Sequence, residues 1–178
     1  MSSNWSQETY IKAYRFAAEA HQGQLYPGTE LPYLMHLSFV SMEILGVLSV
    51  ESGHDGNLAL QCALLHDSIE DTAVTYEQLV AKFGVKVADG VLALSKNPAL
   101  EKSQQLTDSL DRIKTQPTEI WMIKLADRIT NLQKPPAHWT QAKIVRYHQE
   151  AIEIHAALKA ASPVLASRLA EKIENYLG

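Results

Sequence analysis

The chain has 178 residues, 46% hydrophobic and 20% charged, with 16 Lys plus Arg against 20 Asp plus Glu and a net charge of −4. That length predicts one domain, 1–178, able to fold unaided, and the mild acidity excludes a broad cationic nucleic-acid surface. One cysteine, Cys62, excludes an internal disulfide and a thiolate zinc cluster; with no signal-peptide pattern and no ~20-residue apolar run, the expected location is the cytoplasm, away from membranes.

Helical periodicity runs through the chain, separated by sparse Gly and Pro. Ser6 is placed to cap a helix through about His21, with Ile11, Tyr14, Ala17 and Ala18 on one face. Two Gly and two Pro make Gly23 to Pro32 a loop. A second helix is expected over Leu37 to Ser52, then a turn at Gly53-His54-Asp55-Gly56. The third, Asn57 to about Ser68, is apolar nearly all round, which predicts a helix at the centre of the domain.

Thr75, with Glu77-Gln78 after it, predicts a capped short helix that Gly84 ends. Val85 to Ser95 has strand-like valines, but no partner strand is visible elsewhere. A polar loop, Lys96 to Glu101, precedes helices at Ser103 to Lys114 and Thr118 to Gln133, the latter stopped by Pro135-Pro136. The tail predicts two more, His138 to Ala160 and Pro163 to Leu177. The expectation is an all-α fold of roughly eight or nine helices.

The strongest chemical signal is His66-Asp67-Ser68-Ile69-Glu70-Asp71, where ionisable groups close an apolar helix. Charge buried there wants a metal or cations. His66 and Glu70 are four apart, as are Asp67 and Asp71, so each pair shares a helix side; one can hold a metal while the other faces a reaction centre. A His-Asp dipeptide alone says little. The chain has a second, His54-Asp55 between two glycines, which reads as a solvated turn without function. His36, after Pro32-Tyr33-Leu34-Met35, reads by itself as a core or capping histidine. Lys124-Leu125-Ala126-Asp127-Arg128 places Asp127 four residues before Asn131; alone it reads as an exposed ion-pair face of little energetic weight.

Together, in this order and spacing, these segments resemble the HD superfamily of metal-dependent phosphohydrolases. More closely they look like the hydrolase domain of RelA/SpoT homologues, in particular the stand-alone small alarmone hydrolases of the metazoan SpoT-homologue type. The resemblance extends from Ala20-His21-Gln22-Gly23-Gln24 to the tail. It implies an HD-domain helical fold around one metal site. His36, His66, Asp67 and Asp127 would hold one divalent metal, usually manganese in this family; two imidazoles and two carboxylates suit Mn, Fe or Zn without choosing among them. Glu70 and Asp71 would be the catalytic carboxylates, one positioning or deprotonating water and the other protonating the leaving 3′-oxygen, with the assignment open. Asn131 would line the site. Lys102, Lys143 and Tyr147 match family positions that contact phosphates, although Lys143 replaces an arginine and loses its fork. Tyr26 could stack on a base. His21, His138, His148 and His155 are assigned no ligand role.

The implied reaction is hydrolysis of the 3′-pyrophosphate of guanosine tetra- or pentaphosphate (ppGpp or pppGpp), releasing pyrophosphate. The implied partner is a small nucleotide; the sequence leaves the oligomeric state open. One departure stands out. Relatives carry an Arg-Lys pair where this chain has Leu25 and Tyr26, so nucleotide recognition is expected to differ. Two alternatives remain: an HD hydrolase for another nucleotide, such as an adenosine alarmone or a dinucleotide phosphate, or a catalytically silent nucleotide-binding HD domain.

Overall fold

The computed structural model of the chain describes residues 4–177. The elements follow local signals closely. Ser6 accepts a hydrogen bond from the Thr9 amide and starts α1, Gln7–Ala20. The next loop closes through a single antiparallel bridge between Leu25 and Pro32. Helix α2 is Leu34–Leu48, three residues earlier than its periodicity predicts. Tyr33 already has helical angles and the Met35 amide bonds Pro32 O, so the turn after the proline winds directly into the helix.

Helix α3, Gly56–Leu65, forms the centre. Every residue of it except Asn57 and Gln61 is buried, and it packs against α1 and α2 and two later helices. The expected continuation to Ser68 does not occur. The helix stops at Leu65, His66 and Asp67 form a turn, and a short α4, Ser68–Asp71, follows. In the adjacent His54-Asp55 turn, Asp55 is exposed as expected, but both residues have structural partners. Asp55 caps α3 through the Leu58 amide at 3.0 Å and its own amide donates to Glu119. His54 Nε2 lies 3.3 Å from Glu51, and both side chains are largely covered.

Thr75 and Gln78 form a full capping box at the start of α5, Tyr76–Phe83. The valine-rich segment is helical: α6, Val85–Leu94. Gly90 explains how it packs. A Cβ there would sit 2.5 Å from Ile120 Cδ1 and 3.1 Å from Cys62 Sγ, so only glycine admits this close approach to α3. Helix α7 is Lys102–Lys114 and α8 is Thr118–Asn131. Helix α8 carries Ile120 and packs on α2, α3 and the C-terminal helix. Helix α9, Gln141–Leu158, begins later than expected because Thr140 provides its cap. A 3-10 turn, Lys159–Ala161, leads to α10, Pro163–Tyr176, with proline in its first turn and Ser162 as cap.

The described residues thus form ten α-helices and one 3-10 helix. The excess over eight or nine comes from the break that separates α4. No helix among them is long and apolar enough to cross a membrane. The buried apolar residues form one cluster to which every α-helix except α4 contributes. Overpacking a core contact of this kind costs about 1–3 kcal/mol. We therefore expect Gly90→Ala to lower stability by about that much in urea denaturation; an unchanged midpoint would show that α6 can shift away from Ile120 freely.

Candidate metal centre and adjoining cleft

The break after α3 brings two consecutive residues, His66 and Asp67, to one point, which successive positions of a regular helix do not achieve. His66 Nε2 lies 2.9 Å from Asp67 Oδ2. The start of α2 supplies His36, whose Nε2 is 3.4 Å from His66 Nε2 and 3.6 Å from Asp67 Oδ2. The ligand atoms of these three residues all lie within 4.8 Å of one another. Helix α8 supplies Asp127, with Oδ1 3.4 Å from His36 Nε2 and 3.8 Å from His66 Nε2. Both histidines are buried.

The donor chemistry fits a divalent cation. His66 Nδ1 faces the Ala63 carbonyl at 2.8 Å and so donates to it. His36 Nδ1 faces Thr130 Oγ1 at 3.4 Å, a hydroxyl that already donates to the Asp127 carbonyl and therefore accepts here. With both Nδ1 atoms donating outward, both Nε2 lone pairs point inward at two carboxylates. Four acceptors converging in a buried space attract positive charge. The titration of the groups reflects this. Burial pulls the His66 imidazolium down, but the charge and hydrogen bond of Asp67, with Asp127 behind, push its pKa well above the ordinary value. Burial opposes ionisation of Asp67, yet His66 holds it below the usual carboxylate range. Asp127 is likewise held low against burial by Lys124, His36 and His66.

A layer of polar groups orients these side chains. The Tyr33 hydroxyl donates to Asp67 Oδ2 at 2.6 Å, and its ring stacks on His21. Lys124 Nζ is 3.3 Å from Asp127 Oδ2. Asn131 Nδ2 donates to Asp127 Oδ1 at 2.5 Å, while Asn131 Oδ1 accepts from the Tyr26 hydroxyl at 3.3 Å. No motif assigns a role to Tyr33, Lys124 or His21. The Lys124–Asp127 spacing of three was the available signal, but it describes a solvated pair equally well. Arg128 is buried, not part of an exposed ion-pair face, with its guanidinium 4.1 Å over the Tyr147 ring and a bond to Glu150.

Glu70 and Asp71 lie on α4. Both Glu70 oxygens are engaged by Lys96: Oε2 by its backbone amide at 2.8 Å and Oε1 by its ammonium at 2.5 Å. Asp71 keeps solvent contact. Its pKa is raised by partial desolvation and by the Asp67 and Glu70 charges, against a hydrogen bond from Tyr33 and the Lys96 charge.

Tyr26, Tyr33, Asn131 and Tyr147 line a cleft of about 520 Å³ together with Trp139 and Tyr176. Tyr26 lies nearly parallel to the His36 ring, at 5.9 Å. Lys143 is exposed on α9, with Nζ 3.9 Å over the Trp139 ring at the cleft wall. Lys102 opens α7, exposed, and is not among the residues lining this cleft. Leu25 points its side chain to solvent, 50% exposed.

Comparison with known proteins adds the following. The model of the HD domain family matches residues 13–164. A guanosine-3′,5′-bis(diphosphate) 3′-pyrophosphohydrolase MESH1 from Xenopus tropicalis is 29% identical over 164 residues, 89% of this chain and 89% of its own. A GTP pyrophosphokinase from Myxococcus xanthus is 35% identical over 156 residues, 83% of this chain and 20% of its own. A solved structure of a metazoan ortholog of SpoT, described as hydrolyzing ppGpp and playing a role in starvation responses, superposes with a TM-score of 0.82 at 27% identity, covering 96% of both chains.

Loss of a ligand and loss of its support should differ in degree. His66→Ala and Asp127→Ala are expected to abolish one-to-one divalent metal binding. Tyr33→Phe, which removes one hydrogen bond to Asp67, should weaken it by about 10–100-fold, the usual weight of such outer partners. Metal titration by calorimetry checks both; undiminished stoichiometry in either alanine variant would remove that residue from the ligand set.

Proposed function

The chain belongs to the HD domain family, and from that premise we propose that it is a metal-dependent hydrolase of the 3′-pyrophosphate of guanosine tetra- or pentaphosphate, releasing pyrophosphate and GDP or GTP. The observation that carries this reading is the adjacency of three parts. The His36, His66, Asp67 and Asp127 cluster adjoins an aromatic cleft through Tyr33 and Asn131, and Asp71 lies close enough to feel the Asp67 charge and a Tyr33 hydrogen bond. Tyr33 and Asn131 belong to both cluster and cleft, since each bonds a cluster aspartate and lines the cleft wall.

His36, His66, Asp67 and Asp127 would hold one divalent ion, with manganese the favoured identity from the family resemblance. Such an ion supplies positive charge that lowers the pKa of a water and polarises a phosphoryl oxygen. The remaining steps belong to side chains of this chain. Tyr33, Lys124 and Asn131 keep the two aspartates aimed inward. Glu70 orients the attacking water. Asp71, with its raised pKa, is suited to hold a proton for the leaving 3′-oxygen. Tyr26, Trp139 and Tyr147 offer ring faces to a nucleobase.

Glu70→Ala and Asp71→Ala are expected to retain the metal and lose turnover by ~100-fold or more, the scale of positioned acid–base groups. Metal content and single-turnover rates measured together test this; near-normal rates in both variants would remove the pair from the chemistry.

One observation favours a broader base preference than in relatives with a basic pair. The residues in that position are an exposed Leu25 and a Tyr26 whose hydroxyl is committed to Asn131. Ring faces stack on any purine, so guanine and adenine should be weakly distinguished. Pyrophosphate release across matched guanosine and adenosine 3′-pyrophosphates tests both the activity and its selectivity. No release from any of them would overturn the proposed reaction. A guanine preference above ~100-fold in kcat/KM, unchanged in Leu25→Arg/Tyr26→Lys, would correspond to ~2.7 kcal/mol of discrimination arising elsewhere.

A further inference from the structure

Two lysines reach the carboxylates around the centre, and their settings differ. Lys124, 12% exposed, is confined against Asp127. Lys96, 57% exposed, sits on Glu70, and its ammonium can leave without unburying anything. An ion pair this exposed contributes little, so a stronger anion can displace it.

The backbone beneath Lys96 is held firmly. Arg112 donates to the Leu92, Ala93 and Ser95 carbonyls and pairs with Asp108, which ties down the end of α6. Gln105 donates to the Asn97 and Leu100 carbonyls and holds the loop that follows. Lys96 therefore has a fixed Cα and a free tip. Glu70 and Lys96 also line a cavity of about 540 Å³, in which Arg112 is already saturated by these bonds. Lys96 is the cation there with a single exchangeable partner. Its field reaches Asp67 and Asp127 as well.

We propose that Lys96 binds a phosphoryl oxygen of the substrate's pyrophosphate, and that its transfer from Glu70 to the phosphate frees Glu70 Oε1 to orient the attacking water. The proposal rests on the reading of the substrate as a pyrophosphate ester. Before substrate arrives, Lys96 donates to both Glu70 oxygens and its ammonium neutralises the carboxylate, which makes Glu70 a weaker acceptor for a water molecule. A pyrophosphate carries more negative charge than a carboxylate, so charge-assisted bonding draws the ammonium away. The Lys96 backbone amide stays on Glu70 Oε2 and keeps the carboxylate aimed while Oε1 opens. Binding of a polyanion and activation of Glu70 are then one event. A neutral or singly charged ligand would leave the pair closed.

The test is calorimetric binding of inorganic pyrophosphate to the metal-loaded protein, with steady-state kinetics alongside. Lys96→Ala should weaken pyrophosphate binding by ~10-fold or more and raise KM, whereas Lys96→Arg should stay within ~3-fold, because the charge-assisted bond survives. Glu70→Ala should tighten pyrophosphate binding several-fold by releasing Lys96, and that gain should vanish in Lys96→Ala/Glu70→Ala. Unchanged binding in Lys96→Ala overturns the proposal and leaves the hydrolysis reading standing. So does a Glu70→Ala gain that persists without Lys96, since that gain would be relief of simple repulsion. A wild-type protein that binds no pyrophosphate overturns both.

Discussion

Two imidazole lone pairs and two carboxylates meet in a buried space at the end of an apolar helix, and the surrounding structure serves that convergence. Acceptors crowded in low dielectric repel one another unless positive charge lies between them. The Nε2 atoms of His36 and His66 are 3.4 Å apart, a distance acceptable only if a proton or metal ion mediates it. The interior helices supply the opposing stiffness. Helix α3 is buried on almost every side, and Gly90 lets α6 press against it at the depth of Cys62. With α3 immobile, the turn at His66-Asp67 is pinned at one place.

Three separate segments then deliver one cluster, and each is oriented by a different device. His36 is set by α2 starting directly after Pro32, and its tautomer by Thr130. His66 is set by the Ala63 carbonyl one turn earlier. Asp127 is held from two sides, by Lys124 and by Asn131. The Tyr26–Asn131–Asp127 chain of hydrogen bonds runs from the cleft wall to the cluster itself. A ligand seated against Tyr26 is therefore mechanically close to the orientation of a cluster carboxylate.

Charge is distributed unevenly around the cleft. Its walls are aromatic, with Tyr26, Tyr33, Trp139, Tyr147 and Tyr176. Arg128 lies over Tyr147 and bonds Glu150; Lys143 rests over Trp139. The ring faces suit a planar base, and the exposed Lys134 is a further cation on this wall. The phosphate end is accordingly assigned to the Glu70 side of the cluster, where Lys96 is exposed.

The sequence alone determined the helical class and most helix limits, and the family resemblance pointed to the four acceptor residues. Caps at Ser6 and Thr75 and the apolar run of α3 are local features, and local hydrogen bonding places them without reference to the rest of the fold. His66-Asp67 was legible as consecutive residues closing an apolar helix, whereas His36 and Asp127, far apart in the chain, joined them only through the family resemblance. What only the tertiary structure decided concerns partners distant in sequence. The break after Leu65 turns His66 and Asp67 to one point, where a continuous helix would have separated them. His54-Asp55 looked like a turn without a role between two glycines, yet Asp55 caps α3 and its amide donates to Glu119 on α8. Lys102 and Lys143 had the right charge, but Lys96, twenty-six residues from Glu70, holds both oxygens of that carboxylate. A lysine's charge is visible in sequence; whether its flexible side chain meets a carboxylate, a ring face or water depends on which helices pack beside it.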